Sequence, residues 1–281
     1  MIRRLRRRGP DAALGVGTAL ALVFLFAPVV VAVVYAFNQG VGGKQSASFT
    51  GFTTHWFADA WEDETIRAAV GTSVRVAVLV AVVATALGTA AGVAMARNPR
   101  AAVRGALQGL VYLLLVVPEV VLGVSLLLFY TKLHTTLGIA TLVAAHTPST
   151  IAVVALVVRS RVLALDPSIE ESARDLGAGA PQVLRDVLLP QLRPAVLASA
   201  VLAFTFSFDN VVISQFLATP QVSTLPVYLF GTVHYGTAPT AYAVATMMLA
   251  FTFAVIGVAG LAYWWLNRRI GARVLPEPGT R

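Results

Sequence analysis

The sequence predicts an all-α polytopic membrane protein with six transmembrane helices, and three observations carry that expectation. Hydrophobic residues make up 57% of the 281-residue chain against 12% charged, with mean hydropathy of +0.78, too apolar a balance for an ordinary soluble domain. The apolar residues gather into six runs, 12–37, 68–96, 107–130, 139–158, 195–218 and 241–266, each near the length of about 20 residues that crosses roughly 30 Å of hydrocarbon. Between those runs the basic residues sort to one side.

The first run follows "MIRRLRRRGP", which could open a signal peptide. Its apolar stretch from Ala12 to Phe37 exceeds the roughly 7–15 residues of a signal core and has no small-residue cleavage site, so it is expected to be the first span. The paired arginines lack the context of an export signal. A mixed loop, 38–67, leads to the second span, where Gly88 and Gly92 in "GTAAG" would let another helix approach closely. An Arg-rich turn, 97–106, precedes the third span; there Pro118, beside Glu119 and followed by Gly123, should bend the helix and free backbone carbonyls. After a short loop, 131–138, the fourth span is interrupted by His146 and Pro148. A charged segment, 159–194, separates it from the fifth span, and a Thr- and Pro-rich loop, 219–240, leads to the sixth and a basic tail. The expected division is an arm, first span and loop at 1–66, a membrane core at 67–266 and a tail at 267–281.

Orientation follows from charge, because translocation leaves Lys and Arg on the cytoplasmic side. With the N-terminus inside, seventeen arginines fall on inner segments, from Arg3 through Arg281, against Lys44, Arg67 and Lys132 outside and Arg75 near the start of the second span. Both termini are therefore expected in the cytoplasm of a cell whose inner membrane the chain crosses. The net charge of +8 belongs to this asymmetry and not to a nucleic-acid patch.

The segment 159–194 then lies inside. In "DPSIEESARDLGAGAPQVLRDVLLPQLRP", Asp166 suits an N-cap and Pro167 the first helical position, with Ile169, Ala173 and Leu176 on one face. Gly177 supplies a stop and Pro181 a second start. A helix–turn–helix results, too short and charged to enter lipid. A solvated connector is the plain alternative; the pattern Glu171-Ser172-Ala173, three residues, Gly177, nine residues, Val187-Leu188-Leu189-Pro190 argues for a docking element.

Two carboxylates sit inside spans, Glu119 in "VVPEVVLGVSLLLF" and Asp209 in "FTFSFDNVVISQF". Placing an ionised acid at the bilayer centre costs on the order of 3 kcal/mol, so each should face a cavity, a pathway or a partner. A buried hydrogen bond that ties helices together is the structural alternative. Ser207, Asn210 and Ser214 share one face of a continuous helix, with Asp209 beside that stripe. Phe204 and Phe208 offer rings to a cation, or simply pack.

The docking pattern resembles the cytoplasmic signature of permease subunits in binding-protein-dependent ABC importers, with Ser172 and Val187 as mild departures. That resemblance implies a type-1 ABC importer permease fold with a coupling-helix loop at 159–194 between spans four and five. It implies contact with an ATPase through Glu171, Ala173, Gly177, Leu189 and Pro190. Further stretches, "GFTTHW", "VPEVVLGVSLL", "EESARDLGA", "FTFSFDNVVISQFLATP" and "LPVYLFGTVHYGTAP", run in order over most of the chain and resemble the second permease subunit of spermidine/putrescine importers. The resemblance implies a solute path at Trp56, Glu119, Ser207, Asp209 and Asn210. Glu119 stands where that family has aspartate, and Asn210 where it has the second residue of an aspartate pair, which removes one negative charge. Trp56 by itself reads as an interfacial anchor.

The implied partners are a second permease subunit in a heterodimer, an ATPase dimer, an extracytoplasmic solute-binding protein and the bilayer, with no nucleic acid. The chain has no Gly-x4-Gly-Lys-Ser/Thr loop, and "GVGGKQ" at 40–45 has the wrong spacing, so ATP is expected on a separate subunit and no cofactor or metal on this one. Without cysteine there is no disulfide, thiol nucleophile or thiolate site, and His55, His134, His146 and His234 form no catalytic motif. The remaining alternatives are a permease for another small solute such as an amino-acid-like compound, a stand-alone channel or secondary transporter using the two acids, and a membrane scaffold.

Overall fold

A computed structural model describes residues 2–46, 48–235 and 238–271, and the basic tail from 272 onward lies outside the described residues. The secondary structure is helical, with isolated bridges pairing Asn38 with Phe52 and Val41 with Lys44. In order the helices are α1 (Ile2–Ala36), α2 (His55–Glu62), α3 (Glu64–Arg97), α4 (Ala101–Val116), α5 (Glu119–Lys132), α6 (Ile139–Leu163) and α7 (Ser168–Asp175). Then come α8 (Ala180–Gln182), a π-helical turn (Val183–Leu188), α9 (Leu189–Phe208), α10 (Val212–Leu217), α11 (Leu225–Tyr235) and α12 (Pro239–Gly271). Among the described residues five stretches are long and apolar enough to cross a membrane: Leu14–Ala36, Glu64–Arg97, Ile139–Leu163, Ala180–Phe208 and Pro239–Val258. The bent pair α4 and α5 makes a sixth when the two are counted as one span.

Two spans differ from the continuous helices expected of them. The third is two helices meeting at 96° across Val117 and Pro118. Proline has no amide to continue the ladder and forces the preceding residue into extended backbone, which Val117 adopts at ψ 123°. At 16 and 14 residues, α4 and α5 measure about 24 and 21 Å, each short of the hydrocarbon thickness. The fifth span stops at Phe208 and restarts at Val212. The fourth does the opposite: α6 runs unbroken through Pro148, and the hydroxyls of Thr147, Ser149 and Thr150 turn back onto the carbonyls of Val143 and His146. The Thr- and Pro-rich loop also contains a helix, α11, whose first amide, on Leu225, donates to the buried Ser73 hydroxyl of α3 at 2.8 Å.

The chain packs as two compact units. The first comprises residues 1–64 and 231–250. Its loop after α1 is organised by Asn38, fully buried, whose amide donates to Gln45 Oε1 at 2.9 Å while its Oδ1 accepts from the Thr50 amide at 2.8 Å. Phe37 stacks on Phe52.

The second unit, residues 65–230 and 251–281, is built on α6. Buried Leu142, Ala145, Ala152, Val154, Ala155, Val158 and Val162 lie along that helix. On α3, Gly88 and Gly92 take its backbone at close range: a Cβ on Gly92 would stand 2.7 Å from the Ala155 carbonyl, and one on Gly88 2.6 Å from Val154 Cβ. Val76, Val80 and Ala84 of α3, Leu142 and Ala145 of α6, and Ile213 and Leu217 of α10 form one apolar cluster. Val154, Val158 and Val162 meet Leu188, Leu192 and Ala203 in another. The core therefore holds α9 and α10 against the same rod, with the break between them at its side.

Candidate solute site and docking loop

The break at Asp209–Val211 is made by Asn210. Its Oδ1 accepts the Ile213 amide at 3.0 Å, satisfying an orphan donor at the start of α10. Its amide donates to Glu119 Oε1 at 3.4 Å, so Asn210, buried at 8% exposure, accepts from a backbone amide and donates to a side chain. Aspartate at this position would meet both demands only with a proton on one of the two acids. Glu119 occupies the first position of α5, where the exposed backbone amides favour an anion. Asp209 lies exposed just past the end of α9.

Glu119, Asp209 and Asn210 line one cavity of about 450 Å³, together with Leu202, Thr205, Phe206, Val211 and Val212. Three of the five residues expected on a solute path are thus brought together. Ser207 is not with them: it is buried, its hydroxyl 3.0 Å from His146 Nδ1. On the other side of the ring, Ser214 Oγ lies 3.0 Å from His146 Nε2. The polar stripe expected on a continuous helix is split, Ser207 and Ser214 turning to the histidine and Asn210 to Glu119. Trp56 belongs to the first unit, half-buried near the start of α2, its indole N–H donating to the Asn38 carbonyl at 2.9 Å. Phe204 and Phe208 stack on each other at 5.6 Å, and both rings lie against Phe251, so they pack. Gly123 of α5 leaves room for the Phe216 ring of α10, which would otherwise meet its Cβ.

The loop 159–194 forms two helical pieces around Gly177, which takes φ +88° and ends α7. The helix starts at Ser168, one residue later than expected, and Asp166 Oδ1 accepts the Ser168 amide at 2.9 Å, which holds that carboxyl below its ordinary pKa. The second piece starts at Ala180 and does not end at Pro190. The π-turn ahead of Pro190 opens the ladder where an α-helix would press the ring onto the carbonyl four residues back. Of the five residues expected to dock, Glu171, Gly177 and Leu189 are exposed and Ala173 and Pro190 are half-buried. The face carrying Ile169 and Leu176 stays open, Leu176 at 89% exposure.

Glu170 was not among the residues singled out from sequence. It is 4% exposed, its Oε1 accepting from Arg97 Nε at 2.9 Å and its Oε2 3.4 Å from Arg174. Arg97 also donates to the Val162 carbonyl at 3.2 Å, so the end of α3 clasps both α6 and α7. Of two adjacent glutamates with identical sequence cues, the fold buries one and exposes the other. The His146 link to both serines was equally hidden, since it spans 61 and 68 positions.

Membrane-length helices, two of the spans broken beside a pair of carboxylates, and a charged hairpin outside the apolar runs are features that a membrane permease combines. The chain belongs to the family of binding-protein-dependent transport system inner membrane components, whose sequence profile matches residues 88–272. It is 35% identical over 256 residues to the putrescine transport system permease protein PotI of Escherichia coli (strain K12), covering 89% of each chain. It is 31% identical over 256 residues to the spermidine/putrescine transport system permease protein PotC of the same strain, covering 91% of this chain and 93% of that one. Among solved structures, a bacterial ABC transporter that imports the acidic polysaccharide alginate shares the fold, with a TM-score of 0.76 at 15% identity over 95% of this chain and 98% of that one. The fold is that of a type-1 ABC importer permease, and the chain is a transport subunit of an ABC importer, not an enzyme.

Proposed function

We propose that this permease carries a small polyamine, putrescine or spermidine, into the cytoplasm. The observation that carries the reading is the cavity of about 450 Å³ with Glu119 and Asp209 on its wall and Asn210 beside them, an acidic, partly apolar setting suited to a short aliphatic chain bearing ammonium groups. The relatives named for putrescine and spermidine transport support the same substrate class. Trp56 and Ser207 enter this reading through the family resemblance, Ser207 from behind the cavity wall.

The working assembly is one copy of this chain with a second permease subunit, an ATPase dimer and an extracytoplasmic solute-binding protein. Both termini lie in the cytoplasm, as the basic residues require, so the loop 159–194 faces the ATPases. Glu171, Ala173, Gly177, Leu189 and Pro190 make that contact, helped by Ile169 and Leu176, whose exposure on a water-facing hairpin suits burial against a protein partner. ATP binds and is hydrolysed on the partner subunits.

The test is reconstitution of the four kinds of subunit in proteoliposomes with putrescine, spermidine, a basic amino acid and a neutral amino acid offered in turn. Polyamine uptake that depends on ATP and on the binding protein is expected. Uptake of amino acids with no response to polyamines would overturn the substrate class and leave the importer assignment standing.

A further inference from the structure

We propose that His146 is a positioning residue for transport, setting the shape of the Asp209–Val211 break by bridging Ser207 on one side to Ser214 on the other; this rests on the reading that the cavity at that break receives the solute. The imidazole is 2% exposed and absent from the cavity lining, so it does not touch the solute. Each ring nitrogen has a serine hydroxyl at 3.0 Å, one near the end of α9 and the other in α10. Between those serines the helical ladder fails. The Asn210 amide reaches the Ser207 carbonyl only at 3.4 Å, and regular bonding resumes with the Gln215 amide on the Val211 carbonyl at 2.8 Å.

A break in a membrane helix leaves backbone groups that lipid cannot satisfy, so nearby side chains take over part of the lost bonding. Asn210 caps one end of this one, and His146 spans it. A neutral imidazole has one N–H and one lone pair, while a serine hydroxyl can either donate or accept, so both contacts are satisfied without a buried charge. The bridge is anchored in α6, the rod against which the second unit is built. Tethering Ser207 and Ser214 to one rigid ring fixes how far apart the ends of α9 and α10 stand, and with them the direction in which Asp209 is presented and the distance at which Asn210 holds Glu119.

The experiment uses the complete importer with His146→Leu, His146→Asn and His146→Gln, alongside Ser207→Ala and Ser214→Ala. Leucine keeps approximate volume and removes both bonds; asparagine returns a polar atom near Nδ1 and glutamine one near Nε2. Uptake is measured against putrescine concentration, with assembly checked by gel filtration. His146→Leu is expected to raise the half-saturating concentration about tenfold, with asparagine or glutamine recovering at least half of that change on a logarithmic scale. Wild-type half-saturation in the leucine variant, or equal impairment in all three, overturns the proposal. If the leucine variant does not assemble, wild-type half-saturation in both serine variants overturns it.

A readout independent of the solute separates this inference from the substrate assignment. The chain has no cysteine, so Asp209→Cys places a single thiol at the break. Its rate of maleimide labelling should shift at least threefold when His146→Leu is added and return toward the starting value with asparagine or glutamine. An unchanged rate overturns the positioning role whatever the importer carries.

Discussion

Glu119 and Asp209 share a cavity but not an electrostatic setting. Glu119 stands at the start of α5, where backbone amides point toward it, and receives the Asn210 amide. Asp209 follows the last turn of α9, where unpaired carbonyls disfavour an anion, and it is exposed. A bound ammonium therefore relieves more at Asp209 than at Glu119. In concentration-dependent uptake, Asp209→Asn is expected to raise half-saturation tenfold or more, corresponding to about 1.4 kcal/mol, and Glu119→Gln only a few-fold. Equal effects would mean that the local helix ends do not decide which acid meets the cation. At the hairpin, the Asp166 carboxylate favours α7 above the ordinary carboxylate pKa, and that contribution fades as pH falls through its lowered value.

Among the elements, the α3–α6 contact depends most on a missing side chain. A methyl on Gly92 would sit 2.7 Å from the Ala155 carbonyl and 2.9 Å from Val158 Cβ, and backbone cannot swing away as a side chain tip could. Gly105, exposed on α4, meets nothing within 4 Å. Alanine normally improves a helix over glycine by roughly 1 kcal/mol, while overpacking costs about 1–3 kcal/mol. Gly105→Ala should therefore hold or raise the melting temperature in detergent and Gly92→Ala should lower it by several degrees, as followed by thermal aggregation; a neutral Gly92→Ala would show that the two helices can part freely. That contact was legible, since two glycines four apart mark a face. So was the bend at Pro118, though not its 96°. The second break was not, because the spacing of Ser207, Asn210 and Ser214 suits an unbroken helix and only the capping ability of asparagine hints otherwise. His146 and Pro148 misled in the other direction: an interrupted apolar run is what a central helix needs when one histidine must bond two neighbours. In α11 the cue was masked by flanking Thr and Pro, although "LPVYLFGTVHY" is an apolar run with proline at its second position.

Across the molecule, α9 joins the two places where events must be linked. Leu189 and Pro190, proposed to meet the ATPase, open this helix, and Asp209 follows its end; twenty residues span about 30 Å, the thickness of the hydrocarbon. A push at the hairpin proposed to dock would thus travel along one helix to the cavity proposed to receive the solute, provided the hairpin moves with α6 and does not swing alone. Arg97 supplies that condition by holding Glu170 of α7 and the Val162 carbonyl of α6 together. The Glu170 side chain is 6% exposed and that of Arg97 25%, so the pair is largely shielded, whereas Arg174, at 52%, sits on the rim and contributes little. Losing one member of such a pair leaves a buried charge and costs up to about 3 kcal/mol, enough to let the hairpin detach locally. Arg97→Leu should therefore give an importer that assembles and hydrolyses ATP with little response to the loaded binding protein, while the reversal Arg97→Glu with Glu170→Arg recovers part of that response. Recovery should be partial because the glutamate then ending α3 cannot donate to the Val162 carbonyl, and the arginine then on α7 would face Arg174. Full stimulation of ATP hydrolysis in Arg97→Leu would show that the hairpin transmits without its anchor to α3, and α9 alone would then have to carry the coupling.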